Sequence, residues 1–168
     1  MVDAALLNVN DVVPRYLASG AYQPRPSVAT ISNAMDVGAP SNFPWMEALC
    51  GGSWEVMRGR ISGAAYDDRA TRAAIREVKV RTGYVLDPHG AVGWLAAKDW
   101  RDGHAADHTV VLETAHPAKF LDVIEEELGA GAVEVPERLA CLAGLAKVAL
   151  PMPADEAAFK AWLAGWGG

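Results

Sequence analysis

The stretch VVLETAHPAKF, residues 110–120, carries most of the information about the fold. An apolar run ends at Thr114, and the segment from Pro117 onward has the pattern of a helix start. In open α/β proteins, small ligands bind just outside the carboxyl ends of the strands. The stretch therefore raises the question of whether Thr114 and His116 face a ligand.

Two interpretations of Thr114 stay open from the residues alone. Its hydroxyl lies where a ligand would bind, at the end of a predicted strand. It also lies close to Pro117, and a threonine oxygen before a helix often accepts a hydrogen bond from the first free backbone N–H groups. Neither interpretation is preferred at this point.

The composition is that of one ordinary globular domain. The chain has 168 residues, of which 51% are hydrophobic and 21% are charged. The net charge is −6 and the basic residues are scattered, so nucleic acid and anionic membranes are poor candidates for partners. No apolar run has the length that a membrane span requires.

Two features of the sequence predict a cytoplasmic location. Cys50 and Cys141 are isolated thiols that match neither a disulfide framework nor a zinc spacing, which suits a reducing compartment. The first 13 residues include Asp3 and lack a basic segment, so they do not have the pattern of a secretory signal.

The pattern of apolar residues predicts a mixed α/β fold with few strands and an incomplete sheet. Between residues 20 and 63 the chain is rich in Gly, Pro, Ser and Asn, and we expect it to be largely irregular. Strands are predicted at 4–7, at HTVVLET (108–114) and at KVALPM (147–152). Helices are predicted at 14–17, 42–49, 68–82, 88–99, 117–128 and 154–166. So low a strand count suggests that part of the sheet lies outside this chain.

The segment DGHAADH contains four residues of the types that bind metals: Asp102, His104, Asp107 and His108. A metal site would need both histidines on one helix face together with a third ligand. The glycine and the position just before a predicted strand favour a solvated turn, and we predict no metal.

Two other polar groups have both a ligand-binding and a structural interpretation. His89 follows Asp87 and Pro88 at a helix start, where it is placed to meet an anion or to pack locally, and local packing is favoured. Asn33 and Asp36, in SNAMDV (32–37), are able to bind a ligand or to form a turn, and spacing alone favours the turn. Spacing reveals no nucleophilic triad, and no lysine lies in an apolar motif suited to Schiff-base chemistry.

Five motifs together resemble the C-terminal portion of bacterial and fungal-type threonine synthases, in the same order and across residues 8–163. Members of that family are similar to the tryptophan-synthase-β class of pyridoxal-phosphate (PLP) enzymes. The resemblance implies conversion of O-phospho-L-homoserine and water to L-threonine and phosphate. The motifs are NVNDVVPRYL, TISNAMDVGAPSNFP, GYVLDPHGAVGW, ETAHPAKF and PADEAAFKAWL.

The resemblance also implies roles for individual residues. Thr114 falls on the position whose neutral hydroxyl faces the pyridine nitrogen of PLP, and it is the expected cofactor-binding residue. A hydroxyl, unlike a carboxylate, does not stabilise a protonated ring nitrogen, so it tunes the ring as an electron sink. Motif position alone suggests substrate-binding residues, which are Asn10, Asp11, Asn33, Asp36, Asn42 and His116.

Two essential parts of the family's site have no counterpart in this sequence. The Schiff-base lysine and the glycine-rich loop for the cofactor phosphate both lie upstream in the family. We therefore expect residues 1–168 to be a single segment, the C-terminal part of the catalytic domain, that is inactive alone. Its expected partner is the N-terminal part of the synthase or a separate N-terminal subunit. The alternative is a non-catalytic truncated remnant or binding module.

Overall fold

The computed structural model describes residues 3–104 and 108–166, which divide between Glu134 and Val135 into two compact units. Among the described residues, the first unit contains both strands and six α-helices, and the second contains two α-helices. In the first unit the elements are β1 (Asp3–Leu7), α1 (Val12–Ser19), α2 (Phe43–Leu49), α3 (Trp54–Arg60), β2 (Ile61–Ala65), α4 (Asp68–Thr82), α5 (Pro88–Gly103) and α6 (Leu121–Leu128). In the second they are α7 (Glu137–Ala140) and α8 (Glu156–Gly165).

The sheet of the described residues has two parallel strands. β1 pairs with β2 in a register that runs from Asp3 opposite Ile61 to Leu7 opposite Ala65. Parallel neighbours need a long crossover, and helices α1, α2 and α3 lie within it. The predicted strand at 4–7 is therefore confirmed, and the sheet is small, as expected.

The segment from 20 to 63 has more regular structure than we predicted. The expected helix is present as α2, but α3 and the first residues of β2 also fall inside this segment. Ser53 caps α3, its hydroxyl oxygen accepting a hydrogen bond from the Val56 backbone N–H at 3.2 Å. Helix α3 has only seven residues and buries only Met57, so its sequence carries no clear apolar period.

The two other predicted strands are wrong for the described residues. Segment 108–114 has no strand, and its Val110 and Leu112 side chains are 82% and 81% exposed. Segment 147–152 has none either, and its Val148 side chain is 92% exposed. An apolar run becomes a strand only where a neighbouring strand accepts its backbone hydrogen bonds. Neither segment has such a neighbour among the described residues.

Helices α4 and α5 follow their sequence signals closely. The Asp67 carboxylate caps α4 by accepting a hydrogen bond from the Ala70 N–H at 2.8 Å, and Gly83 ends the helix at φ 79°. Helix α5 starts at Asp87 as cap and Pro88 as first residue, as predicted. None of the helices in the described ranges is long and apolar enough to cross a membrane.

Two apolar clusters, built from different helices, lie in the first unit. The first joins α1, α2 and α3, and in it the rings of Tyr22 and Phe43 stack at 3.9 Å while Tyr16 meets Phe43 edge-on at 4.8 Å. The second joins α4, α5 and α6 through buried side chains, which are Ala74, Ile75, Val78, Leu86, Ala91 and Ile124. The second cluster positions the start of α5, where the candidate site lies.

Replacing Ile75 with alanine tests the second cluster. Ile75 is fully buried, so Ile75→Ala should lower the free energy of unfolding by about 2–5 kcal/mol through lost burial and a cavity. Val80 lies on the same helix but is 86% exposed, and Val80→Ala should change the same quantity by less than about 0.5 kcal/mol. Urea unfolding of both variants gives the comparison, and equal effects would contradict the assignment of the core.

Candidate functional site

A buried set of polar side chains joins the end of β1 to the segment before α2. The side-chain amide of Asn8 donates hydrogen bonds to Asp36 Oδ1 and to Thr30 Oγ1, each at 2.8 Å. The side-chain amide of Asn10 donates to Asn8 Oδ1 at 2.7 Å and to the Val28 carbonyl at 2.9 Å. Asn8 and Asn10 are 1% and 0% exposed, so these bonds form away from solvent.

The carboxylate of Asp36 closes this network. Its Oδ2 accepts a hydrogen bond from the Thr30 backbone N–H at 2.9 Å, and its Oδ1 accepts one from the Thr30 hydroxyl at 2.7 Å. The side-chain oxygen Oδ1 of Asn10 accepts a hydrogen bond from the Val28 backbone N–H at 2.8 Å. Asn10 and Asp36 are thus brought together, and both hold segment 28–36 against the end of β1.

Two other predicted substrate residues lie at helix starts. Asp11 precedes α1, where it pairs with Arg15 at 3.0 Å and with Arg25. Arg25 also donates to the Val9 carbonyl at 2.7 Å, so it links this helix start to the following segment. Asn42 is exposed at the start of α2 and makes no capping bond with its side chain.

His89 holds a fixed position between its own helix and the SNAMDV segment. Asp87 Oδ1 lies 2.8 Å from His89 Nδ1 and accepts a bond from the His89 backbone N–H at 2.9 Å. On the other side, Nε2 accepts a hydrogen bond from the Ala34 backbone N–H at 3.1 Å. An acceptor role for Nε2 places the imidazole proton on Nδ1, so this geometry belongs to the neutral ring. The interpretation of His89 as a locally packed side chain agrees with these contacts.

Three of the sequence motifs meet at the His89 ring. Ala34 belongs to a 3₁₀ turn, Asn33–Met35, on which the Asn33 side chain is exposed. The ring centroid of His89 lies 5.1 Å from that of Phe120, which comes from the stretch 110–120. His89 therefore anchors the turn that presents Asn33 and contacts the segment that follows Thr114.

The helix that follows Thr114 is capped by His116, and Thr114 is not its cap. His116 is the N-cap of a 3₁₀ helix, Pro117–Phe120, and its Nδ1 accepts a hydrogen bond from the Ala118 N–H at 3.1 Å. The capping interpretation of Thr114 is therefore wrong. The Thr114 side chain is exposed beside the capped turn, and its assignment to a ligand remains a prediction.

Sequence reasoning did not single out Glu113, although it stands at the end of an apolar run where a charge is unexpected. Its carboxyl lies so close to Gly90 in α5 that a Cβ on that glycine would fall 1.5 Å from Oε1. Burial of the carboxyl, and then the neighbouring Asp87 carboxylate, raises the pKa of Glu113 to about 8. Burial opposes ionisation of Asp87, but the hydrogen bonds from His89 hold its pKa below the ordinary value.

The DGHAADH segment shows no metal geometry among the residues that the structure describes. His104 ends α5 and stacks on Trp100, with ring centroids 4.4 Å apart. Asp102 and His108 are exposed, and Asp107 lies outside the described residues. No group of three potential ligands is positioned around a common point in the described ranges.

Comparison with known proteins agrees with this arrangement of motifs. The family model described as threonine synthase, C-terminal, matches residues 90–163. Threonine synthase of Escherichia coli is 40% identical over 157 residues, which cover 93% of this chain. By sequence, the chain matches the C-terminal part of threonine synthases. The threonine synthase of Serratia marcescens is 37% identical over 162 residues, or 96% of this chain.

Solved threonine synthase structures share the fold. The crystal structure of the E. coli enzyme superposes with a TM-score of 0.79 at 37% identity over 96% of this chain. A PLP-bound threonine synthase from Brucella melitensis superposes with a TM-score of 0.69 at 30% identity over 83% of this chain. The expected fold class is thereby confirmed. The chain spans about a third of these relatives, covering 35% of the E. coli protein and 36% of the Serratia protein.

The polar network gives a test of the site's scaffold. Asn8→Ala removes the donor to Asp36 Oδ1 and Thr30 Oγ1 and the acceptor of the buried Asn10 amide, so it should lower the free energy of unfolding by about 1–3 kcal/mol. Asn42→Ala is the matched control, because Asn42 is exposed and should contribute less than about 0.5 kcal/mol. Chemical denaturation measures both, and an Asn8→Ala variant as stable as the control would show that the network is not needed for folding.

Proposed function

We propose that this chain is the C-terminal part of a PLP-dependent threonine synthase. The complete enzyme would convert O-phospho-L-homoserine and water to L-threonine and phosphate, the last step of threonine biosynthesis. The observation that carries the proposal is the meeting of three family motifs at His89, which contacts both Ala34 and Phe120. Residues 1–168 would form one segment of the catalytic domain, and the N-terminal part would supply the Schiff-base lysine and the phosphate-binding loop.

The residues around Thr114 fit the proposed cofactor. Thr114 offers an exposed neutral hydroxyl, and the neighbouring Glu113 carboxyl lies against Gly90 of α5. Bound PLP supplies an electron sink, whose strength depends on the group facing its ring nitrogen. Thr114 would hold that nitrogen by a hydrogen bond without favouring its protonation.

The six proposed substrate residues divide into two groups by their surroundings. Asn33, Asn42 and His116 are exposed, and we assign to them direct contacts with the substrate. Amide and imidazole N–H groups are suitable donors for a phosphate or carboxylate oxygen. The other three residues are Asn10, Asp11 and Asp36. Their hydrogen bonds and ion pairs hold the segments that carry these contacts.

The proposed partner covers segment 108–114. The apolar side chains of Val110 and Leu112 are more than four-fifths exposed. An apolar run in which polar residues do not alternate is typical of a strand that is buried on both faces of a parallel sheet. We propose that strands of the N-terminal part, in the same polypeptide or in a separate subunit, pair with it. A cytoplasmic setting is part of the proposal, and the free thiols of Cys50 and Cys141 support it.

The activity of the isolated chain tests the proposal. The purified chain should release no phosphate from O-phospho-L-homoserine with added PLP, because the proposal places the Schiff-base lysine in the N-terminal part. Addition of the upstream two thirds of a related threonine synthase should restore phosphate and threonine formation. Turnover by the chain alone would contradict the division of roles. Failure of the upstream part to restore turnover would favour the alternative, a remnant or binding module.

Thr114 variants test the cofactor contact in the complemented enzyme. Thr114→Ser keeps the hydroxyl and should retain affinity for PLP. Thr114→Ala should weaken PLP binding by roughly fivefold, the equivalent of about 1 kcal/mol for one hydrogen bond. Equilibrium titration followed by PLP absorbance measures the affinities. Identical affinities for the wild-type and alanine proteins would contradict the assignment.

A further inference from the structure

Asp87 is a fully buried carboxylate with one oxygen well bonded and the other without a donor. Its Oδ1 receives both the backbone N–H and the ring Nδ1–H of His89. Its Oδ2 is also buried, and it has no hydrogen-bond partner among the described residues. A buried carboxylate oxygen left unbonded is costly, so a proton donor is expected beside it.

The carboxyl of Glu113 is the group placed to supply that donor. The Glu113 carboxyl lies against Gly90 in the first turn of α5, the helix that the Asp87 side chain caps. Two carboxyl groups attract each other only when they share a proton. Asp87 already accepts two hydrogen bonds from His89, which stabilise its charge, so the shared proton belongs on Glu113.

We propose that Glu113 is a positioning residue whose carboxyl O–H donates to Asp87 Oδ2 and so fixes the end of segment 108–114 on the start of α5. The next residue is Thr114, so the same bond fixes its backbone. This contact is a property of the chain itself. Only its importance for holding a cofactor through Thr114 depends on the proposed function.

The glycine at position 90 leaves the space that the Glu113 carboxyl occupies. Any side chain there would occupy the space of the Glu113 carboxyl, since an added Cβ would lie 1.5 Å from Oε1 and 2.3 Å from Cδ. Glycine in the first turn of a helix gives up some helix stability. In exchange it lets a carboxyl from another segment reach the buried Asp87.

The surroundings of the pair make the contact dependent on pH. His89 faces Asp87 from α5, and the hydroxyl of Tyr84, whose pKa is raised by burial and then by Glu113 and Asp87, adds no positive charge. The folded-state pKa of Glu113 is raised to about 8, so the stability that it contributes is complete below the unfolded-state value of about 4.3 and is lost as pH rises through about 8. The pKa of Asp87 is lowered, so its contribution is present above about 3.9 and is lost in acid. The contact therefore exists from the lowered pKa of Asp87 up to a pH of about 8.

A direct test follows the Glu113 carboxyl carbon by ¹³C NMR in the full 168-residue chain, with Glu113→Gln used to assign the signal. We expect its titration midpoint several pH units above that of an ordinary glutamate. A midpoint in the ordinary range of glutamate would overturn the proposal. The measurement needs no cofactor and no activity, so its failure is distinguishable from failure of the proposed function.

Two variants distinguish the effect of the carboxyl proton from the effect of the size of the side chain. Glu113→Gln retains a donor at every pH, whereas Glu113→Ala has none. Backbone ¹⁵N relaxation reports the order of the residue 113 and Thr114 amides at pH 6.5 and pH 9, and amides of α4 monitor the overall fold. The wild type should be ordered only at the lower pH, the glutamine variant at both, and the alanine variant at neither.

A purely structural side chain would not show this pattern. Equal order in the wild type at both pH values, or loss of order in Glu113→Gln at pH 9 alone, would overturn the role of the proton. Should the alanine variant fail to fold, the wild-type and glutamine proteins still decide the question through the NMR titration and the relaxation data.

Discussion

The buried carboxylate of Asp87 constrains the whole candidate site. As the cap of α5 it fixes the start of that helix, and through Oδ1 it sets the tautomer and direction of the His89 ring. The oriented ring in turn anchors the Ala34 N–H of the SNAMDV turn. A charge removed from water must be bonded on every side, so each neighbour of Asp87 is tightly specified. One residue thereby joins three segments that are far apart in the sequence.

A second constraint is the irregular backbone between α1 and α2. A segment without regular structure leaves its backbone N–H and C=O groups without partners, and buried ones must find them elsewhere. Side chains do this here: Asn10 bonds both the N–H and the carbonyl of Val28, and Asp36 bonds the N–H of Thr30. The asparagines at 8 and 10 are therefore needed to give a loop one conformation, which is a condition for presenting Asn33 at a defined place.

The exposed segment 108–114 connects this architecture to the proposed partner. Its apolar side chains remain in solvent while Glu113, at its end, is held on α5. An exposed apolar run with free backbone groups is a template for strand addition. The described part of the chain thus has ordered contacts on the side of α5 and an uncovered surface where the N-terminal part of a synthase is proposed to pack.

The sequence by itself determined the helix at 68–82 with its aspartate and glycine ends, and the aspartate start of the helix at 88–99, because caps and apolar periods are local. The structure continues this second helix to Gly103. The sequence also predicted the likeness to threonine synthases, because the five motifs that carry the resemblance occur in the same order along the chain. Only the tertiary structure decided that 108–114 is not a strand here, since pairing depends on a neighbour that the local pattern does not specify. It alone showed that His116 caps the turn after Thr114, and that the Glu113 carboxyl lies against Gly90 of α5. The second of these contacts depends on the three-dimensional placement of α5, which no spacing along the chain encodes.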